Sequence, residues 1–224
     1  MSMLKIISAG VAGLAACSAS AAEPLAYPAP YWDQMYNIWL AVAVGIYVIV
    51  AVPALYFMFR YRYRPAVNEM GCHEEAGIGI EILWTVVPLI IVIYLATQGF
   101  VLYTRQRTPP PESLPVKVEG RMWYWTFEYP NGKKSASQLY VPAGKPVKLV
   151  MTAKDVIHAF HILEAKTMED VVPGRETHMW FQFNNTGEYQ AFCREYCGAG
   201  HAMMRATIKV VTPEEFEAWL EESA

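Results

Sequence analysis

The chain has 224 residues, 54% of them hydrophobic and 17% charged, with a formal net charge of −3. That balance places part of the chain in lipid and excludes nucleic-acid binding driven by bulk electrostatics. The four cysteines, Cys17, Cys72, Cys193 and Cys197, are too few and too unevenly spread for a disulfide framework. Two are isolated and two form a Cys-x-x-x-Cys pair, a pattern that favours metal or redox chemistry.

Residues 1–22 read as an export signal. Lys5 supplies the positive end, and Ile6 to Ala16 forms an apolar run too short to span a bilayer. Two cleavage readings stand side by side. Ala19-Ser20-Ala21-Ala22 offers small residues to an ordinary signal peptidase, whereas Leu14-Ala15-Ala16-Cys17 has the form of a bacterial lipobox that would lipidate Cys17.

Residues 23–107 hold an N-terminal segment and two apolar stretches, about 35–59 and about 79–103, each long enough to cross a bilayer as a helix. Pro53 and Pro88 fall inside them, which membrane helices tolerate. Trp32, Tyr36, Trp39, Tyr56, Tyr61, Tyr63 and Tyr103 cluster near their ends, as interfacial aromatics do. The connecting loop carries Arg60, Arg62 and Arg64, and positive charge in a short loop marks the cytoplasmic side. Everything after Tyr103 is therefore expected outside the cell membrane, facing the periplasm of a bacterium.

A Pro-rich linker is expected over residues 108–115, Thr-Pro-Pro-Pro-Glu-Ser-Leu-Pro. Beyond it, residues 116–224 change to short alternating segments. Val147, Leu149 and Met151 alternate with Lys148, Val150 and Thr152. Turn signals at 130–132, 142–144, 173–174 and 184–187 separate such runs, which predicts an antiparallel sandwich. Thr212-Pro213-Glu214-Glu215 predicts a final helix with Thr212 as cap and Glu215 reaching back.

The chemistry concentrates in residues 192–204, where Cys193, Cys197, His201 and Met204 place two thiols, an imidazole and a thioether within 12 residues. Thiolates and thioethers are soft donors, and imidazole suits copper, zinc, iron and nickel. The thioether disfavours zinc, whose structural sites use thiolate and imidazole. A single blue-copper centre needs only one cysteine, so the second thiolate allows two coppers to be bridged. A further histidine must come from elsewhere in the fold. His158 is the leading candidate, and spacing leaves His161 and His178 open. The plain alternative is a disulfide with His201 and Met204 merely packed.

Cys-x-Glu-x-Cys-Gly-x-x-His-x-x-Met, present as Cys193, Glu195, Cys197, Gly198, His201 and Met204, resembles the motif of subunit II of haem-copper cytochrome c oxidases. Asp155-Val156-Ile157-His158 resembles that family's upstream element, and the likeness runs through essentially everything after the signal. It implies a two-helix transmembrane hairpin followed by a cupredoxin-like Greek-key β-sandwich. It further implies a binuclear copper centre with Cys193 and Cys197 as bridges, His158, His201 and Met204 as terminal ligands, and the Glu195 carbonyl as a further donor. In the family such a subunit takes electrons from cytochrome c and passes them to haem in subunit I, where oxygen becomes water and protons are pumped. The chain would then be the relay of an oxidase in the bacterial inner membrane, with the copper domain on the periplasmic face.

Other roles follow from the same resemblance. Trp123, in Trp123-Tyr124-Trp125, would be where electrons enter. Glu128 and Asp155 would help dock a basic c-type cytochrome, although the stretch between Trp123 and His158 is shorter than the family's usual. The Glu195 side chain would help hold magnesium shared with subunit I, a hard cation suited to carboxylate. Glu81 would lie near the mouth of a proton channel in subunit I. Rival readings are a quinol oxidase subunit, which would lack the cysteines, a nitrous oxide reductase, whose large propeller this chain has no room for, and a zinc or disulfide module.

Overall fold

The computed structural model describes residues 25–64 and 77–222. The signal segment with Cys17, and Cys72 and His73 of the loop, lie outside the described residues. Two helices, α1 (Ala29–Arg60) and α2 (Ile78–Arg107), reach mean hydropathies of 2.5 and 2.4 over their most apolar windows, none of it buried inside the protein. Apolar surface on every side needs an apolar solvent, and lipid is that solvent.

Both helices overrun the spans expected from hydropathy. At about 1.5 Å per residue they run roughly 45–48 Å, against a hydrocarbon core of about 30 Å. The excess is largest where the hairpin meets the sandwich, because there the helices have protein to pack on. Ala29, Met35 and Leu102 are the buried residues of the pair, and the Arg105 guanidinium lies 4.8 Å from the centre of the Tyr31 ring.

Among the described residues, eleven strands form two sheets. β1 (Ala26–Tyr27) precedes the hairpin; the rest are β2 (Leu114–Arg121), β3 (Tyr124–Glu128), β4 (Lys134–Ala136), β5 (Gln138–Pro142), β6 (Val147–Ala153), β7 (His158–Ile162), β8 (Thr167–Val171), β9 (Thr177–Phe183), β10 (Gly187–Cys193) and β11 (Arg205–Val211). The six-stranded sheet runs β1-β9-β6-β2-β3-β4 and the five-stranded sheet β5-β11-β10-β7-β8. The alternation expected for residues 147–153 is present, with Val147, Leu149 and Met151 buried and the residues between them part-exposed.

Pairing is not wholly antiparallel, as the turn signals had suggested. β2 runs parallel to β6, and β5 runs parallel to β11. Hairpin turns report only strands adjacent in sequence; these partners are joined by long returns, which the Greek-key arrangement uses. The linker is also shorter than expected, since β2 begins at Leu114. Pro115 fits in a strand because its nitrogen faces the side where β3 has already ended. Leu114 N–H bonds to Pro146 O across to β6 at 2.8 Å, and pairing with β3 starts only at Lys117.

Trp125, Phe127, Phe160, Phe181, Phe183, Leu149 and Ile208 fill the space between the sheets, each completely or almost completely buried. At the end away from residues 194–204, α3 (Pro213–Glu221) closes the core with Phe216. Its start has the expected capping box: Thr212 Oγ1 accepts from Glu215 N–H, and Glu215 Oε2 accepts from Thr212 N–H. Tyr129 is buried beside Phe216 and Trp219, its hydroxyl donating to Tyr140 O at 3.0 Å and accepting from Tyr140 N–H at 2.7 Å.

The sandwich is bonded to the end of α2. Trp180 Nε1–H donates to Arg105 O at 3.0 Å, His178 Nε2 meets Arg107 O at 3.2 Å, and Arg107 pairs with Glu169 at 2.5 Å. The last carbonyls of a helix lack intrahelical donors; two of them are satisfied here by side chains of β9. Lys166, in the β7–β8 turn, adds an ion pair to Asp33 of α1.

Candidate metal centre

β7 and β10 are neighbours in the five-stranded sheet, and Cys193 pairs with Phe160. The start of β7 and the end of β10 therefore share one end of the sandwich. His158 opens β7, Cys193 closes β10, and residues 194–204 loop above them to reach β11. Two backbone bonds pin this loop, Cys193 N–H to Met204 O at 3.1 Å and Arg194 N–H to Ala159 O at 3.0 Å.

Strand period decides among the histidines. Side chains alternate across a strand, so His158, Phe160 and Ile162 face the core while His161 faces away. Burial, and then the Arg194 guanidinium, lower the His161 pKa, with Glu164 opposing. His178 is committed to the end of α2. His158 alone of the three joins the cysteines, and its ligating atom and the two Sγ atoms lie within 4.8 Å of one another.

The donors form a chain of close approaches. Cys193 Sγ lies 3.9 Å from His158 Nδ1, 3.8 Å from Cys197 Sγ and 3.3 Å from Glu195 O. Cys197 Sγ lies 3.6 Å from His201 Nδ1 and 3.7 Å from Met204 Sδ. Both cysteines are free thiols. Burial, and then the neighbouring Cys193 thiol, push the Cys197 thiol up to about 12. A bound cation would displace those protons, since only thiolates ligate.

The groups around the donors are themselves held by hydrogen bonds and packing. His158 Nε2 meets Asp155 Oδ1 at 2.8 Å, which orients the ring so that Nδ1 points at the sulfurs. Burial opposes ionisation of Asp155, but bonds from His158 and from the Met122 and Val156 N–H groups outweigh it and hold the carboxyl below its usual range. Trp125 sits edge-on to His158 with ring centres 5.8 Å apart. Trp123 Nε1–H donates to Cys197 O at 3.1 Å, tying the β2–β3 turn of one sheet to the ligand loop of the other.

Glycine makes that contact fit. A Cβ on Gly200 would fall 2.6 Å from Trp123 Cγ and 2.8 Å from its Cε3. Gly198 sits under the same ring with φ +114°, a backbone that side chains rarely adopt. Asp155 as the support of His158, Trp125 as its packing neighbour, and Gly200 as the cradle of Trp123 went unassigned in the sequence. The Asp-x-x-His spacing was the one available signal, and it says nothing about which way the carboxylate turns.

Two of the expected residues lie elsewhere. Glu128 ends β3, four residues and roughly 13 Å along the strand from Tyr124 at about 3.3 Å per residue. Its carboxylate lies 3.2 Å from Lys134 and 3.6 Å from Lys117, and hydrogen bonding to Lys134 is the main cause of its lowered pKa. Glu81 lies exposed in the first turn of α2, at the far end of the hairpin from the sandwich. Glu195 contributes its carbonyl to the cluster while its side chain is exposed.

Fold and site together define a membrane-anchored β-sandwich protein with a soft-donor centre at one end of the sandwich. Two family models match: "Cytochrome C oxidase subunit II, transmembrane domain" over residues 20–102 and "Cytochrome C oxidase subunit II, periplasmic domain" over residues 133–211. The chain belongs to the cytochrome c oxidase subunit II family. Among its relatives, the cytochrome c oxidase subunit 2 of Synechocystis sp. is 28% identical, covering 86% of this chain and 72% of that protein. The Alkalihalophilus pseudofirmus counterpart is 31% identical over 83% of this chain and 57% of its own length. Among solved structures, the periplasmic domain of cytochrome oxidase subunit II from Bradyrhizobium japonicum is 34% identical, covering 51% of this chain and 95% of that one, with a TM-score of 0.49.

Proposed function

We propose that this chain is the electron-relay subunit of a terminal oxidase in the bacterial inner membrane, with its sandwich on the periplasmic side. It takes single electrons from a c-type cytochrome and delivers them to haem in subunit I, where oxygen is reduced to water and protons are pumped. The observation that carries this reading is the convergence of two free thiols, two imidazole Nδ1 atoms, a thioether and one carbonyl through steps of 3.3–3.9 Å. That donor set is soft and rich in thiols, as copper prefers. Cys193 and Cys197 would bridge two coppers, with His158, His201, Met204 and the Glu195 carbonyl completing their coordination. When bound, a copper pair sharing one unpaired electron supplies one-electron exchange with little change in bond length.

The chain's own residues hold that exchange in place. Asp155 fixes the His158 ring, the two sheets fix the loop ends, and burial of Cys193, Cys197, His158 and Met204 excludes water. Trp123, exposed and bonded to the Cys197 carbonyl, is where electrons enter. No acid–base pair is required. The exposed Glu195 carboxylate is available for a magnesium ion shared with subunit I, and Glu81 for proton uptake at the cytoplasmic end.

The test is metal analysis and electron paramagnetic resonance on the full-length chain in detergent. About two coppers per chain with a mixed-valence signal are expected, and Cys193→Ser should abolish that signal. One tightly bound zinc in place of copper, or an unchanged signal in Cys193→Ser, would sink the proposal.

A further inference from the structure

We propose that the hairpin holds one phospholipid with a primary ammonium in its headgroup, the acyl chain in the groove between α1 and α2 and the head on the Lys166–Asp33 pair. This goes beyond the relay reading and does not depend on the metal centre. The groove lies where α1 begins and α2 ends. Trp32, Tyr36 and Trp39 recur on one face of α1 at helical spacing, and Gly99, Tyr103 and Gln106 do the same on α2. With Met35 and Leu102 they line a space of about 390 Å³, a size usual for ligand clefts. From Trp32 to Trp39 it runs roughly 10 Å along the helix. Gly99 keeps the deep end open, since a Cβ there would meet nothing within 4 Å.

The two sides of the hairpin ask for different neighbours. Met35 and Leu102 also line a recess on the opposite side, together with Gln34, Gln98 and Arg105. Amides at membrane depth hydrogen-bond across to other helices, so that side suits a protein. The groove side instead presents tryptophan and tyrosine, which favour the boundary between hydrocarbon and headgroups. Its one amide, Gln106, sits at the end nearest the sandwich, where a headgroup lies. A lipid is the neighbour this side fits.

The head of that lipid meets a charged pair. Trp32 and Tyr36, which wall the groove, also wall the recess that holds Asp33 and Lys166. Lys166 has a left-handed backbone, φ +50°, which glycine or asparagine would adopt at less cost. The turn itself therefore does not call for lysine, and the ammonium is what the position adds. It pairs with Asp33, yet the two side chains stay 48% and 55% exposed. Neither is saturated, since an ammonium has three donors and a carboxylate about four acceptor sites. A phosphate can share Lys166 and a primary ammonium can share Asp33, both through charge-assisted bonds. The pair is neutral in sum, so a headgroup with both charges matches it. A purely anionic head would meet the Asp33 carboxylate.

Native mass spectrometry of the full-length chain in mild detergent tests this, with phosphatidylethanolamine and phosphatidylglycerol of matched acyl chains as probes. One phosphatidylethanolamine should be retained per chain, about tenfold more tightly than phosphatidylglycerol, the worth of one charge-assisted bond. Lys166→Gln should weaken its retention by about the same factor. Gly99→Leu fills the groove from a Cβ that clashes with nothing, and should abolish retention with helix content unchanged. Ile49→Phe adds bulk to an exposed face ten residues further along α1 and should leave retention as it was. Equal retention of the two lipids, or an unchanged result in either Gly99→Leu or Lys166→Gln, means an annular lipid only and overturns the proposal. The chain should also carry the lipid when activation releases it from the assembly extracted from its own membrane. Release without it means that a neighbouring protein fills the groove, and that overturns the proposal as well.

Discussion

The hairpin and the sandwich are both rich in apolar residues, yet they dispose of them in opposite ways. In the hairpin the apolar windows of both helices are wholly exposed, so the surrounding lipid, not the protein, decides that they are helices. In the sandwich the large apolar residues of alternate positions are buried between two sheets, and the protein supplies its own apolar medium. A side chain removed from the first region leaves a gap that lipid refills. Removed from the second, it leaves a cavity.

The largest contrast should therefore come from a matched pair of truncations. Phe160→Ala, in the core between Trp125 and Phe127, should cost about 3–5 kcal/mol in denaturant unfolding of the purified chain. Ile49→Ala on the lipid face of α1, where Ile49 is 73% exposed, should cost under about 1 kcal/mol. Comparable losses at both sites would end the distinction.

Gly200→Ala sharpens it at the metal end. The new Cβ would collide with the Trp123 ring, at an overpacking cost of about 1–3 kcal/mol. Electron uptake should slow along with it, because the ring must leave the Cys197 carbonyl. Normal uptake kinetics would show that Trp123 is not the route.

Tyr129→Phe removes both bonds to Tyr140 at the opposite end and should cost about 1–3 kcal/mol. Burial raises the Tyr129 pKa above its ordinary value, against the Tyr140 hydrogen bond. The folded protein therefore keeps a proton that the unfolded chain releases above about pH 10. Stability from this group is full below that pH and falls as pH rises beyond it. The Phe variant should show a flatter stability curve above pH 10 than the parent.

The smallest effect is expected at α3, where Thr212→Ala removes one half of the capping box for about 1 kcal/mol by thermal melting.

How much of this could be read beforehand follows from the range over which each signal acts. The hairpin was legible because hydropathy is summed over a helix length and lipid asks for little else. The α3 cap was legible because Thr212, Pro213 and Glu215 act within four residues. The donor loop was legible because Cys193, Cys197, His201 and Met204 share one short stretch, whereas separating His158 from His161 and His178 on the residues alone needed to know which side of β7 faces inward. The parallel partners β2–β6 and β5–β11 join residues far apart in sequence, and no local pattern announces them. The role of Asp155 was hidden for a different reason: a carboxylate beside a candidate ligand reads equally well as a surface charge, until its bonds to His158 and to the Met122 and Val156 amides are seen.

The bonds from Trp180 and His178 to the last turn of α2 reach beyond local stability. They bypass the short run of prolines, so the linker does not set how the sandwich stands on its anchor. The helix end grips β9 directly, β9 pairs with β6, and β6 with β2, whose far end carries the turn to Trp123. Height above the bilayer is thereby transmitted through hydrogen-bonded backbone. A chain built this way carries its own ruler, running through paired strands from the end of a lipid-facing helix to the turn that holds Trp123.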